Sequence, residues 1–455
     1  MINGITEKMN NMSGKFDAIS VSQVLYGLQR MSSDSIEIKK LLNVINKKIN
    51  IGKIDFDSQA VGNCLYGLQR MSSDHIEVRS LLSALTPKIK NCKNIFTSQE
   101  LSNSIYGLKS MKSDNKEVQE ILLSLITHIN KSKQLLTNQG LINILYALQG
   151  FDDDNDNVKK FLFSLEKKIL DVDFIMTPTS ISAAMFGLQG LSSSNSFTIK
   201  IIKLVTNKLL ESKELFTASN IGTALYGLKK MDSDHDEVRT LLSVFEKKII
   251  SCRAHPKSIN EKKRKFVTFQ KKDLPHMRST DISNAIFGLQ GMNSNCIEVR
   301  NILHALSPLL KNSIDKFNME NVGNAMYGLQ KMSCDHKEVR VILFLLIPRI
   351  KVAIENAGNN DDNYNDNKIN NNNNNNNNND DNNNNNNNDN NNINSKTIID
   401  SFNGIVMNNQ KNDFIPIPLK LSIIFFEFIL LLLLSLSLSL LLLLSLLLLL
   451  LLLIL

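Results

Sequence analysis

The apolar residues of the chain recur at helical spacing, and the pattern is clearest in residues 56–90. One apolar stripe there is formed by Val61, Leu65 and Leu68, and a second by Val78, Leu82, Leu85 and Ile89. Steps of three and four residues place side chains on one face of an α-helix. The polar pair Ser72 and Ser73 separates the two stripes. The pattern therefore predicts two amphipathic helices joined by a short turn.

This helix pair is one of eight copies. The block that starts Tyr26-Gly27-Leu28 returns every 40 residues, with its aromatic residue at Tyr66, Tyr106, Tyr146, Phe186 and Tyr226. It returns at Phe287 after 61 residues, one repeat plus an insertion of 21, and at Tyr327 after another 40. Such short helix pairs cannot bury their own apolar faces, so neighbours must stack. The sequence thus predicts an all-α fold, an α-solenoid of eight repeats of about 40 residues over 16–351.

Polar residues at the predicted helix starts indicate N-caps. Asp57 or Ser58 precedes the first helix of the second copy. Asp74 precedes its second helix, and Glu77 three residues later completes the pattern of a capping box. The same pairing recurs as Asp34/Glu37, Asp114/Glu117, Asp234/Glu237 and Asp335/Glu338. We therefore expect the aspartates to cap the second helices.

A glycine follows the aromatic residue in seven copies, and Ala147 is the exception. Glycine costs about 1 kcal/mol relative to alanine inside a helix. Its recurrence therefore predicts a close approach between neighbouring repeats, with the preceding ring wedged against the next repeat.

The composition changes outside the repeats. Residues 1–15 form a lead-in, and the insertion at 257–276 carries the basic run Lys262, Lys263, Arg264 and Lys265. A basic loop binds nucleic acid or anionic lipid, serves as a nuclear address, or is simply a solvated loop. Residues 352–414 are rich in Asn, which predicts a disordered linker.

Residues 415–455 form an apolar tail rich in Leu and Ser. Its last 28 residues, 428–455, carry no charge. An uncharged stretch of this length is a transmembrane candidate, which would hold the repeats on the cytosolic side of a membrane. A simple-sequence expansion without a membrane role is the alternative. The N-terminus lacks the apolar core of a secretory signal, so we expect an intracellular protein of undetermined organelle.

The bulk composition adds a preference for anionic partners. The formal net charge is +8 and the isoelectric point is about 9.0. Five cysteines lack metal-ligand or disulfide spacing, which predicts reduced thiols packed in the helices. No phosphate-binding, nucleophile-elbow or zinc-protease motif is present, so we expect neither an enzyme nor a metal or other cofactor.

Two columns of polar residues along the first helices are candidates for ligand binding. The first contains amides, at Asn63, Asn103, Asn143, Asn284 and Asn324. Because Asn is a poor helix former, its recurrence indicates either a ligand-binding column or an internal hydrogen-bonded ladder between repeats. The second column is basic in four copies, at Arg30, Arg70, Lys230 and Lys331, with Ser110, Gly150, Gly190 and Gly291 in the others.

A third column lies on the second helices and is a candidate for phosphate binding. It consists of Arg79, Arg239, Arg300 and Arg340, with Lys39, Lys159 and Lys200 aligned to it. A basic stripe along a groove suits phosphates. The alternative is a solvated face on which each arginine pairs with a nearby glutamate.

The first helix resembles the octotricopeptide repeats of organellar RNA-binding proteins and, more loosely, the repeats that precede RAP domains. The similarity lies in Phe96-Thr97-Ser98-Gln99-Glu100-Leu101-Ser102-Asn103-Ser104-Ile105-Tyr106-Gly107-Leu108. It extends over residues 16–351, and no RAP domain follows. The resemblance implies sequence-selective contacts to RNA from first-helix positions, the same positions that hold the amide and first basic columns.

These observations favour a non-enzymatic helical-repeat protein that binds single-stranded RNA along the concave face of the solenoid. The alternative is a protein-protein interaction scaffold, tethered to a membrane by residues 428–455, whose amides grip an extended peptide. A small-molecule substrate is not expected.

Overall fold

A computed structural model of the chain describes residues 2–12, 16–52, 54–171, 175–252, 277–313 and 315–366, with side chains as far as residue 356. The regular structure of these residues consists of 17 α-helices and two short 3-10 turns, Leu148–Gly150 and Leu188–Gly190. The predicted all-α class is therefore confirmed for the described part of the chain. The basic insertion and the apolar tail lie outside the described residues.

Each repeat contributes one short and one long helix, after a leading helix α1 at Ile2–Asn11. The first helices are α2 (Ala18–Gly27), α4 (Ser58–Gly67), α6 (Ser98–Tyr106), α8 (Asn138–Ala147), α10 (Pro178–Gly187), α12 (Ala218–Tyr226), α14 (Ser279–Phe287) and α16 (Met319–Gly328). The second helices are α3 (Ile36–Ile51), α5 (Ile76–Asn91), α7 (Lys116–Lys131), α9 (Asp156–Leu170), α11 (Ser196–Glu211), α13 (Asp236–Ile250), α15 (Ile297–Lys311) and α17 (Lys337–Asp366).

The helices pack in two rows that follow the order of the repeats. Each first helix packs on the first helix of the next repeat, from α2 on α4 through α14 on α16. The second helices do the same, from α3 on α5 through α15 on α17, and α1 packs on α3. Both predicted apolar stripes are buried between these rows, from Val61 and Leu65 to Leu85 and Ile89. Neighbour-on-neighbour packing of this kind is the arrangement expected of a helical-repeat stack.

Helix capping agrees with the prediction at Asp57 but not at the aspartates that precede the second helices. The Asp57 carboxylate accepts the Ala60 N–H at 2.7 Å, as expected of an N-cap. Asp74 is not a cap, because α5 begins at Ile76 and its N-cap His75 makes no side-chain capping bond. The capping-box prediction is wrong in the same way for the equivalent aspartates, since their helices begin two residues later: Asp34, Asp114, Asp234 and Asp335.

The reason is a tight turn ahead of the second helix. The Asp74 N–H donates to the Ser72 hydroxyl, and that hydroxyl donates back to the Asp74 carboxylate at 3.0 Å. This closed polar turn holds the carboxylate before the helix, where it pairs with Lys112 of the next repeat at 3.0 Å. A side chain committed to its own turn is not available to cap the helix that follows.

The repeating glycine allows the first helices to touch through their backbones, as predicted. A Cβ atom at Gly107 would lie 1.9 Å from the Leu65 carbonyl oxygen of the preceding repeat. Nothing lies within 4 Å of the same position at Gly27, which has no repeat before it. Where Ala147 replaces the glycine, the Tyr106 and Tyr146 ring centroids are 6.3 Å apart, the widest spacing in the column.

A buried polar side chain joins the inter-helix turns of neighbouring repeats. The Ser73 hydroxyl, which is fully buried, accepts the Lys112 N–H at 2.9 Å. Equivalent bonds occur at Ser33, Ser113, Ser193, Ser233 and Ser294. In the fourth repeat Asp153 takes this place and both of its oxygens accept the Ser192 N–H at 3.1 Å. Burial raises the pKa of the Asp153 carboxyl.

The last helix is longer than predicted. It continues through Asp366, beyond residue 351, where the sequence analysis ended the repeats. Among the described residues, no helix has the length and apolar character needed to cross a membrane. The predicted membrane segment, 428–455, lies outside the described residues.

Candidate ligand-binding surface on the first helices

Eight aromatic rings form a continuous stack along the first helices. They are Tyr26, Tyr66, Tyr106, Tyr146, Phe186, Tyr226, Phe287 and Tyr327. Neighbouring ring centroids are 5.5–6.3 Å apart and the ring planes are inclined by 20–30°. Such offset stacking is favourable for aromatic pairs. Because each inner ring lies between two others, its neighbours cover much of both faces.

The amide column runs beside this ring stack. Its five asparagines lie three residues before a ring and are partly exposed. Asn143 accepts a hydrogen bond from Gln139 at 2.8 Å. The side-chain amides of the other four, Asn63, Asn103, Asn284 and Asn324, make no hydrogen bond in the described part of the chain. The internal ladder considered from the sequence is therefore absent there, and these amides remain able to donate and accept.

Sequence analysis missed a third set of groups on this surface, three residues after each ring. The Lys109 ammonium lies 4.3 Å from the Tyr106 ring centroid and donates to the Tyr106 hydroxyl at 2.9 Å. Lys229 occupies the equivalent position, 4.8 Å from the Tyr226 centroid. A cation over an aromatic face is a favourable arrangement. The signal in the sequence is the lysine that replaces Gln directly after the Tyr-Gly-Leu block in two of the eight repeats.

Burial and the nearby charge of Arg70 shift the pKa values of the Tyr106 phenol and the Lys109 ammonium. Burial raises the pKa of the Tyr106 phenol, and the nearby Arg70 guanidinium opposes that shift. Burial also lowers the pKa of the Lys109 ammonium, and Arg70 adds to the lowering. Arg70 of one repeat therefore lies close to the ring and the lysine of the next, so amide, ring, lysine and arginine share one surface.

The first basic column is heterogeneous. Arg30, Arg70 and Lys331 are exposed. Lys230 instead pairs with Asp152 at 2.6 Å and with Asp154 at 3.7 Å, two repeats away. At three of the neutral positions a glycine lies directly against the backbone of the preceding turn. A Cβ atom at Gly150, Gly190 or Gly291 would lie within 2.2 Å of a carbonyl oxygen of the preceding turn. A cationic side chain is therefore sterically excluded at these three repeats.

The second-helix arginines are bound to their own turns. Arg79 Nη1 donates to the Ser73 and Asp74 carbonyl oxygens at 2.7 and 2.9 Å. Arg300 and Arg340 bond the equivalent pair of carbonyls, and Arg239 bonds the Ser233 carbonyl and also pairs with Asp236. The alternative of pairing with a nearby glutamate is not observed at these four positions.

The lysines aligned to this column have different surroundings. Lys159 pairs with Asp156 at 3.5 Å. Lys200 pairs with Glu166 at 2.6 Å and lies one residue beyond the equivalent position, which Ile199 occupies. Aligning Lys200 with Arg79 was therefore wrong. Lys39 makes no ion pair within the described ranges.

Replacing Arg79 tests this turn-binding role. Arg79→Ala is expected to lower the free energy of unfolding by about 2 kcal/mol, because two carbonyls lose a charged donor. Arg79→Gln is expected to cost less than about 0.5 kcal/mol, since Gln119 donates to the equivalent carbonyls of Ser113 and Asp114 in the next repeat. Urea unfolding followed by circular dichroism measures both. Equal destabilisation by the two variants would contradict the assignment.

All five cysteines are free thiols. Cys64, Cys92 and Cys252 are buried, and Cys296 and Cys334 are partly buried. Burial raises the pKa of the Cys64 thiol and raises that of Cys252 to about 11. The burial of three thiols fits the predicted packing role, but only Cys64 lies within a helix, and the other four cysteines lie at helix ends or in turns.

The fold and this surface define a class, that of all-helical repeat proteins with a row of aromatic rings and polar side chains along the first helices. The chain matches no protein-family model and no curated protein.

Proposed function

We propose that the chain is a non-enzymatic helical-repeat protein that binds single-stranded RNA along its first helices. The observation that carries the proposal is the column of partly exposed amides beside the ring stack, four of which make no hydrogen bond in the described part of the chain. An amide presents a donor and an acceptor together, which matches the edge of an unpaired base. The resemblance of these helices to octotricopeptide repeats supports the same ligand.

The surface also supplies charge for the RNA backbone. Arg30, Arg70 and Lys331 are exposed at the ends of first helices, and none forms an ion pair within the described ranges. Such residues attract phosphates in a salt-dependent manner. The inner rings cover one another, so bases would meet amides and ring edges. Tyr26, the first ring, is 41% exposed and has no ring stacked on its outer side in the described part, which leaves a face for a terminal base.

A triple variant tests the amide column. Asn63→Ala/Asn103→Ala/Asn143→Ala is expected to weaken binding of a random-sequence single-stranded RNA pool by about 10-fold or more, since each amide contact contributes roughly 0.5–1.5 kcal/mol. Fluorescence anisotropy with labelled RNA at low salt measures the affinity. Thermal unfolding should change little, because alanine favours the helix and these amides join no other repeat.

The matched control removes three exposed amides elsewhere. Asn91→Ala/Asn94→Ala/Asn130→Ala lies at the ends of second helices and in the loop that follows α5. It should leave RNA affinity unchanged, as should Arg79→Gln. An equal loss in both triple variants, or affinity independent of salt, would refute the proposed surface. If the intact chain fails to bind RNA at low salt, the RNA proposal fails and an extended peptide becomes the ligand to test.

A further inference from the structure

The loops between successive repeats project aliphatic side chains into solvent. Ile95, Leu135, Ile175 and Leu215 occupy one position in four consecutive loops and are 62%, 66%, 81% and 50% exposed. Each directly precedes a buried residue that anchors the next repeat. A single exposed aliphatic residue is ordinary on a soluble protein, but a row at equivalent positions is an organised apolar surface.

Hydrogen bonds link the first three of these loops along one edge of the repeats. The Ser132 hydroxyl donates to the Phe96 carbonyl at 2.9 Å, and the Ser98 N–H donates to the Gln134 side chain at 3.0 Å. The Asn138 amide donates to the Ile175 carbonyl at 3.2 Å. We call the loops 92–97, 132–137, 175–177 and 212–217, with the ends of the preceding second helices, the loop edge. Exposed Leu170 and Leu210 at those helix ends enlarge its apolar surface.

The loop edge is also rich in unpaired cations. The exposed lysines are Lys90, Lys93, Lys131, Lys133 and Lys213, and none forms an ion pair in the part of the chain that the structure describes. The loops around Ile95 and Leu135 contain no acidic residue, whereas Asp171, Glu211 and Glu214 accompany the two later loops. Positive charge is therefore concentrated around the second and third repeats.

We propose that the loop edge docks on an anionic lipid bilayer. Aliphatic tips set among lysines fit the chemistry of a membrane interface, because alkyl groups enter the boundary of the acyl chains while ammonium groups stay with the lipid phosphates. The lysine-rich loops set the preference for anionic lipid. This surface is separate from the first-helix face, so the proposal does not depend on RNA binding.

A single tryptophan reports insertion at this edge. The chain contains no Trp, so Leu135→Trp in the full chain gives a signal that the apolar tail does not produce. Vesicles of phosphatidylcholine with phosphatidylserine are expected to shift its emission to the blue. Brominated lipid should then quench that emission about twofold or more, as for a side chain at the acyl boundary. Pure phosphatidylcholine should produce a much smaller change.

Two further variants decide the outcome. Ser83→Trp, on the exposed side of α5 away from the loop edge, is the matched control and should not respond. Adding Lys131→Ala/Lys133→Ala to Leu135→Trp should lower the partition coefficient onto anionic vesicles by about tenfold or more. The proposal is overturned if Leu135→Trp responds no more than Ser83→Trp. The exposed aliphatic residues of the loop edge would then be assigned to binding a protein partner. The proposal is also overturned if the two lysines have no effect.

Discussion

Replacing Gly107 with alanine is expected to destabilise the stack by about 2 kcal/mol, whereas the same change at Gly27 is expected to stabilise it by up to about 1 kcal/mol. A Cβ atom at Gly107 would lie 1.9 Å from the Leu65 carbonyl oxygen, and that contact is with backbone that cannot rotate away. At Gly27 nothing lies within 4 Å, so alanine there only reduces the freedom of the unfolded chain and improves helix propensity.

The natural Ala147 indicates how the stack adapts to such a change. The ring centroids at that step are 6.3 Å apart, compared with 5.8 Å between Tyr66 and Tyr106. A Gly107→Ala structure is therefore expected to widen the Tyr66–Tyr106 spacing by several tenths of an ångström. Urea unfolding followed by circular dichroism gives the two free energies. Similar effects at Gly107 and Gly27 would show that close backbone approach is not the reason for the repeated glycine.

Removing the Ser73 hydroxyl is the second change with a large expected effect. Ser73→Ala should lower the free energy of unfolding by about 2 kcal/mol, because it leaves the Lys112 N–H without its acceptor at a buried joint between repeats. The adjacent Ser72→Ala is the matched control. Ser72 forms its side-chain bonds with the exposed Asp74, and its loss should cost less than about 0.5 kcal/mol.

The two serine variants are compared by urea unfolding and by amide hydrogen exchange at Lys112. The Lys112 N–H should exchange faster in Ser73→Ala than in Ser72→Ala, because only the first variant frees it. Equal exchange and equal midpoints would mean that the hydroxyl does not join the turns. The six hydroxyl joints and the Asp153 joint connect all eight repeats, so this result bears on the whole described stack.

Part of the candidate surface could be predicted from the sequence. The amide column was found because Asn recurs at a helical position that disfavours it, and the position of Arg70 followed from the repeat. Whether those amides form hydrogen bonds between repeats could not be predicted, because an internal ladder and a ligand-binding column have the same sequence pattern. Lys109 was overlooked because only two of the eight repeats have a cation three residues after the ring.

The sequence by itself determined the period of 40 residues, the two helices of each repeat and the close approach at Gly107, since each depends on a pattern within the repeat. Only the tertiary structure decided which partner each polar side chain binds. Asp74 proved not to cap its helix, and Arg79 binds its own turn, while Ser73 binds Lys112 of the next repeat. The physical reason is that hydrogen-bond partners 39 residues apart along the chain become neighbours only when the repeats stack.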